Sequence, residues 1–188
     1  MKKKQIIFTA PKTAALLEQD IPNLEPDDVR VKMEYTVVSA GTERDCILGR
    51  PNTPQRFPTS LGYCGIGCVD AVGKDVATVR EGDRVLVYHG NHATHNIRKE
   101  DEIIKVENDA VSSLEAAFAI IAAMSLGGVR KLEIEIGESA MVMGQGILGL
   151  FATQFCRLNG AYPVIAVDLN ADRRNLALEL GADYALDP

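Results

Sequence analysis

The chain has 188 residues, 46% of them hydrophobic and 24% charged, with a net charge of −6 and a pI of about 5.1. That balance supports a buried core, argues against a disordered chain and leaves no basic footprint for nucleic acid. Tryptophan is absent and no apolar run reaches the roughly 20 residues that span a bilayer, so neither a base-stacking platform nor a membrane span is expected. Met1-Lys2-Lys3-Lys4 is basic but runs directly into strand-like Gln5-Ile6-Ile7-Phe8 without the apolar core of a secretory signal, which predicts a cytoplasmic protein.

In chain order, short alternating or apolar segments predict strands over Gln5–Thr9, Ala14–Glu18, Val29–Ser39, Gly65–Val72, Arg84–Tyr88 and Ile103–Val106. Pro11, Pro22-Asn23, Pro26-Asp27-Asp28, Gly49-Arg50-Pro51-Asn52, Gly73-Lys74 and Glu81-Gly82-Asp83 punctuate them, a spacing that suits a compact β-barrel. His92 is a candidate donor near the cleft, but His89, His92 and His95 all fall in a loop-like stretch, where solvation or packing is the expected role of any one of them. Ser112-Ser113-Leu114-Glu115 reads as a capping box that opens one apolar helix running through Met124, and such a helix must be buried. The four cysteines, Cys46, Cys64, Cys68 and Cys156, are irregularly spaced and read as small packing residues rather than as a disulfide framework or a metal site.

Beyond Val129 the period changes. Ala140–Met143 reads as a buried strand, Ile147–Asn159 as a helix, Val164–Asp168 as a parallel strand, Ala171–Leu180 as a helix stopped by Gly181, and Tyr184–Leu186 as a third strand. Between the first strand and the first helix stands Gly144-Gln145-Gly146-Ile147-Leu148-Gly149, a G-x-G-x-x-G run that points to a dinucleotide. Gly144 makes the tight turn, Gly146 admits a pyrophosphate close to the backbone, Gly149 packs helix on strand, and the first helical N–H groups face the phosphate charge. Asp168, about 20 residues past the last glycine, is placed to accept from an adenosine ribose. A ribose acceptor repels a 2′-phosphate, so NAD is expected ahead of NADP.

This order of parts resembles the medium-chain dehydrogenase/reductase family, the alcohol-dehydrogenase-like proteins with a chaperonin-10-like (GroES-like) catalytic domain. The segments that carry the resemblance are Ser39-Ala40-Gly41-Thr42-Glu43, Leu61-Gly62-Tyr63, Val72-Gly73, Glu81-Gly82-Asp83-Arg84-Val85, His92-Ala93 and residues 137–168. The resemblance implies an α/β chain in two parts: a chaperonin-10-like β-barrel domain over 1–125, and the first half of a Rossmann domain over 126–188. It also implies that Arg173 contacts the adenosine ribose. Zinc-dependent members place ligands where this chain has Ala40, Tyr63 and Ala119, and alanine cannot coordinate a cation, so no zinc is expected. Thr42 then stands where the family puts a proton-relay hydroxyl, and Tyr63 replaces a ligand at the centre of the site. Glu43 completes the catalytic set, with the holding of a backbone turn or of a basic residue beneath the cofactor as its alternative.

The resemblance implies an oxidoreductase moving a hydride between a nicotinamide dinucleotide and a small-molecule secondary alcohol or ketone of polyol or sugar type. A zinc-independent quinone-oxidoreductase-like enzyme and a non-catalytic nucleotide-binding protein are the alternatives. Full-length members are much longer than this chain and some are homo-oligomers, so the chain reads as a fragment expected to be inactive by itself for want of the second nucleotide half.

Overall fold

The computed structural model describes residues 1–53 and 56–188. Two compact units emerge, Met1–Phe118 and Ala119–Pro188. In the first, the described strands are β1 (Lys2–Ala10), β2 (Thr13–Asp20), β3 (Asp28–Val37), β4 (Thr59–Ser60), β5 (Cys64–Val72), β6 (Arg84–Tyr88), β7 (His95–Lys99) and β8 (Ile103–Lys105). The alternation of buried Val29 and Val31 with outward Arg30 and Lys32 makes β3 the spine of an antiparallel sheet of order β7-β3-β5-β6-β8. Val29, Val31, Val69, Val85, Val87 and Ile103 pack as one core, and each fully buried valine contributes about 1.5–3 kcal/mol. A smaller sheet, β2-β1-β4, accompanies it.

Ala140–Met143, expected as a buried strand, keeps only Ala140 buried, with Met141 58% and Met143 75% exposed. Three further features depart from the sequence expectations. Residues Ala40–Leu48 form a helix, α1, which ends at Gly49 in the left-handed conformation (φ 62°). Its buried residues are Glu43 and Cys46, so no apolar stripe announces it. Secondly, His95 lies in strand β7 rather than in a loop, paired with Lys32. β7 is an edge strand rich in polar and basic residues, a composition that protects an edge but hides it from hydrophobic patterning. Thirdly, the apolar helix is two helices, α2 (Ser113–Ala116) and α3 (Ala119–Arg130). The capping box is present at the start of α2, with Glu115 N–H donating to Ser112 Oγ (3.2 Å) and Ser112 N–H to Glu115 Oε2 (2.9 Å). The burial expected for this run is not met along α3. Ile121, Ser125 and Val129, spaced by four, form one buried stripe, while Met124 is 50% exposed.

In the second unit, β9 (Ala140–Met143), α4 (Ile147–Leu158), β10 (Val164–Val167), α5 (Ala171–Glu179) and β11 (Tyr184–Leu186) alternate, and the strands pair in parallel in the order β11-β10-β9. Val129, Ala140, Cys156, Ala161 and Val164 form its core, with a second cluster of Ala166, Ala177 and Ala182. Gly181 (φ 109°) follows α5 directly, in the conformation a helix-stopping glycine supplies. All four cysteines are free, and among the described residues no helix is long and apolar enough to cross a membrane.

His95 is 8% exposed, and burial, against the opposing pull of Asp70 at 3.7 Å and with help from Arg30, Lys32 and Lys3, holds its pKa below the ordinary 6.5. A histidine kept neutral in the fold takes up a proton more readily when unfolded. Its contribution is therefore complete above pH 6.5 and is lost as pH falls through the folded pKa. Urea midpoints measured between pH 7.5 and pH 5 should fall less steeply with acid in His95→Gln than in the parent chain; equal slopes would contradict this assignment.

Candidate functional site

The glycine loop is built from the backbone outward. Strand β9 ends at Gly144, whose φ of 87° turns the chain as a side chain would resist. Gly144 N–H donates to Val167 O at 2.7 Å, which ties the turn to β10. Gly149, one turn into α4, lies so close to the loop that a Cβ there would fall 1.8 Å from Gly144 O. Gly146 is the opposite case. It is the N-cap of α4, no side chain caps it, and a Cβ on it would meet nothing within 4 Å. The start of α4 is therefore left without a side-chain cap at the positive end of the helix dipole. Ile147 and Leu148 begin the helix with side chains 40% and 47% exposed.

Gln145 behaves differently from its neighbours. Its side chain is fully buried, donating from Nε2 to Val142 O (2.8 Å) and accepting at Oε1 from Thr153 Oγ1 (3.0 Å). The whole residue is buried, and its backbone N–H donates to Asp168 Oδ2 at 2.6 Å. Asn170 N–H donates to Asp168 Oδ1 at 2.8 Å. These two backbone donors, Asn170 first, hold the Asp168 carboxyl below the usual carboxylate range, with Arg173 and Arg174 adding to the effect. Arg173 Nη1 stands 3.8 Å from Asp168 Oδ2, and Arg174 Nη1 donates to Asp168 O at 2.7 Å. An ionised acid, two arginines and an uncapped helix start thus gather at the C-terminal ends of β9 and β10. Such a cradle fits a pyrophosphate and an adenosine ribose.

The candidate catalytic residues all lie in the first unit. Thr42 is exposed on the first turn of α1. Glu43, one residue on, is turned inward: Oε1 accepts from Ser39 N–H at 2.7 Å, and Oε2 pairs with His92 Nε2 at 2.8 Å. His92 Nδ1 lies 2.8 Å from Thr36 Oγ1. Thr36, Glu43 and His92 line a mainly apolar groove of about 900 Å³ together with Met33, Tyr35 and Ile47. Tyr63 joins a ring cluster, edge-on to Tyr88 with centroids 5.6 Å apart, and Tyr88 stacks on His89 at 3.7 Å. Burial, then its bond to Tyr88, pushes the Tyr63 phenol up to about 12, so it stays protonated and able to donate at neutral pH. Glu43 thus holds a backbone turn and a ring nitrogen, the structural alternative for it, and its partner His92, 49 positions away, is the part that no local spacing encodes.

Comparison with known proteins matches residues 25–132 to the alcohol dehydrogenase GroES-like domain family and residues 148–188 to the zinc-binding dehydrogenase family. The chain belongs to the medium-chain, alcohol-dehydrogenase-like family of oxidoreductases. It is 28% identical to geraniol dehydrogenase of Castellaniella defragrans, over 93% of this chain and 62% of that protein. It is 27% identical to D-guloside 3-dehydrogenase of Escherichia coli, over 98% of this chain and 59% of that protein. The crystal structure of a proposed zinc-binding dehydrogenase from Sinorhizobium meliloti, bound to NADP, superposes with a TM-score of 0.88 at 26% identity, covering all of this chain and 62% of that one. The chain thus spans about three fifths of the length of these relatives.

The family commonly binds zinc, so the donors at the ligand positions decide whether this chain could. Ala40 and Ala119 carry methyl groups and Tyr63 a phenol held protonated, a set that does not fit a zinc ion. Cys64 does not compensate: burial pushes its thiol up to about 11, and Sγ contacts Ala117 O at 3.8 Å. Cys68 donates to Glu34 Oε1 at 3.3 Å. Among the described residues no three His, Cys, Asp or Glu side chains gather as a metal site.

Proposed function

We propose that this chain is the substrate-side unit and the adenosine-binding half of an NAD-dependent dehydrogenase acting on a secondary alcohol or ketone of polyol or sugar type, without catalytic zinc. The observation that carries the reading is the open cradle at Gly146 beside the ionised Asp168, in a chain of this family. Gly144, Gly146 and Gly149 shape the loop. The amides at Ile147 and Leu148 receive the pyrophosphate, and Asp168 with Arg173 receives the ribose. A bound nicotinamide supplies or takes the hydride. The chain's own part at the substrate end is to stabilise the oxygen that gains or sheds charge, and the Tyr63 and Thr42 hydroxyls are its donors. The sugar and alcohol chemistry of the named relatives supports this substrate class.

The test uses the protein in its full reading frame, assayed with NAD(H) and NADP(H) against polyols, secondary alcohols, ketones and quinones, with and without a chelator. NAD-linked turnover of a polyol or sugar, indifferent to chelation, is the expected result. Turnover that collapses on chelation and returns with zinc would defeat the zinc-free assignment. Tight nucleotide binding without turnover of any substrate would make the protein a binder rather than an enzyme.

A further inference from the structure

Four stretches distant in sequence meet at His92. Its ring lies between Thr36, at the end of β3, and Glu43 of α1. Its backbone N–H donates to Leu61 O at 3.0 Å, and its carbonyl accepts from Ile6 N–H at 2.9 Å. Glu43 in turn accepts from Ser39 N–H, at the entry to α1. Thr42 rides on that helix turn, and Tyr63 stands two residues beyond Leu61. We infer that His92 is a positioning residue: through Glu43 and Leu61 it ties the turn carrying Thr42 to the segment carrying Tyr63. The inference rests on the role given to those two hydroxyls in the proposed function.

The chemistry of the pair fixes the ring. A carboxylate oxygen accepts, so Nε2 carries the proton shared with Glu43, while Nδ1 faces the Thr36 hydroxyl. Glu43 and His92 are 7% and 8% exposed, so water cannot replace either partner. Removing the ring leaves a buried carboxylate with one of its two donors, and the least disruptive escape is for the turn at Ser39–Glu43 to loosen and let water in. A side chain that only filled space could not hold the turn, because the tie is a donated hydrogen bond.

Histidine-labelled nitrogen–proton correlation spectra and amide hydrogen exchange of the 188-residue chain test this directly. His92 is expected as the Nε2–H tautomer. His92→Leu should speed exchange at the Ser39 and Glu43 amides by about tenfold or more. The Ala166 amide in the parallel sheet should be unchanged. His92→Gln, whose amide N–H can take the place of Nε2–H, should restore most of the protection. A leucine variant protected like the parent, with glutamine no better, would show that the ring merely fills space and would overturn the inference. Should His92→Leu fail to fold, Glu43→Leu decides, since it leaves Nε2 no acceptor: loss of the pure Nε2–H form is expected, and an unchanged tautomer would overturn it. In the full reading frame, His92→Leu should lower kcat by about tenfold or more with KM for NAD unmoved. A raised KM with kcat intact would count against it. The exchange and tautomer readouts need no turnover, so a protein that fails as a dehydrogenase would remove the proposed function and leave the tie standing.

Discussion

Gly149→Ala is expected to destabilise the second unit by about 3 kcal/mol or more, the upper end of what overpacking costs. The added Cβ would lie 1.8 Å from Gly144 O, a backbone atom held by the bond of Gly144 N–H to Val167 O. No flexible side chain is present to yield, so either α4 lifts from β9 or the turn at Gly144 opens. Thermal unfolding followed by circular dichroism should show a midpoint lowered by on the order of 10 °C. A midpoint within a degree or two of the parent would mean that the helix does not pack on the loop this closely.

Gly146→Val should do the reverse, sparing the fold and removing the ligand. Its Cβ enters open space, so the folded chain meets no clash. The space is the path by which a pyrophosphate would reach the N–H groups of α4, and a branched side chain fills it. Loss of NAD affinity by about tenfold or more, at least 1.4 kcal/mol, is expected with the unfolding midpoint held. The two glycines, three residues apart, thus separate a packing role from a binding role that spacing alone assigns together.

The glycine pattern was legible because each glycine answers a local geometric demand, and the strand–helix alternation of residues 140–186 places it. The capping box at Ser112 was legible for the same reason, since its two partners lie three residues apart. What escaped was long-range or polar. Gln145, between two glycines, reads as loop, yet its side chain is a core group satisfied by Thr153 eight positions on. α1 escaped because its buried face is Glu43 and Cys46, and the Glu43 carboxyl is satisfied there by the Ser39 N–H and by His92. Strand β7 escaped because an edge strand rich in His, Asn, Arg and Lys lacks the apolar alternation that marks an interior one. The split between α2 and α3 escaped because alanine-rich apolar runs carry helix propensity without telling where one helix stops.

The central claim is that residues 144–149 and Asp168 hold an NAD-type dinucleotide, and calorimetric titration of the 188-residue chain with NAD, NADP and ADP-ribose tests it most directly. The Asp168 carboxyl, ionised and anchored by the Gln145 and Asn170 amides, repels a 2′-phosphate while still offering lone pairs to a free ribose hydroxyl. NAD and ADP-ribose should bind comparably and more tightly than NADP, and Gly146→Val should abolish binding of all three. NADP binding equal to or tighter than NAD, or titration curves unchanged by Gly146→Val, would contradict it.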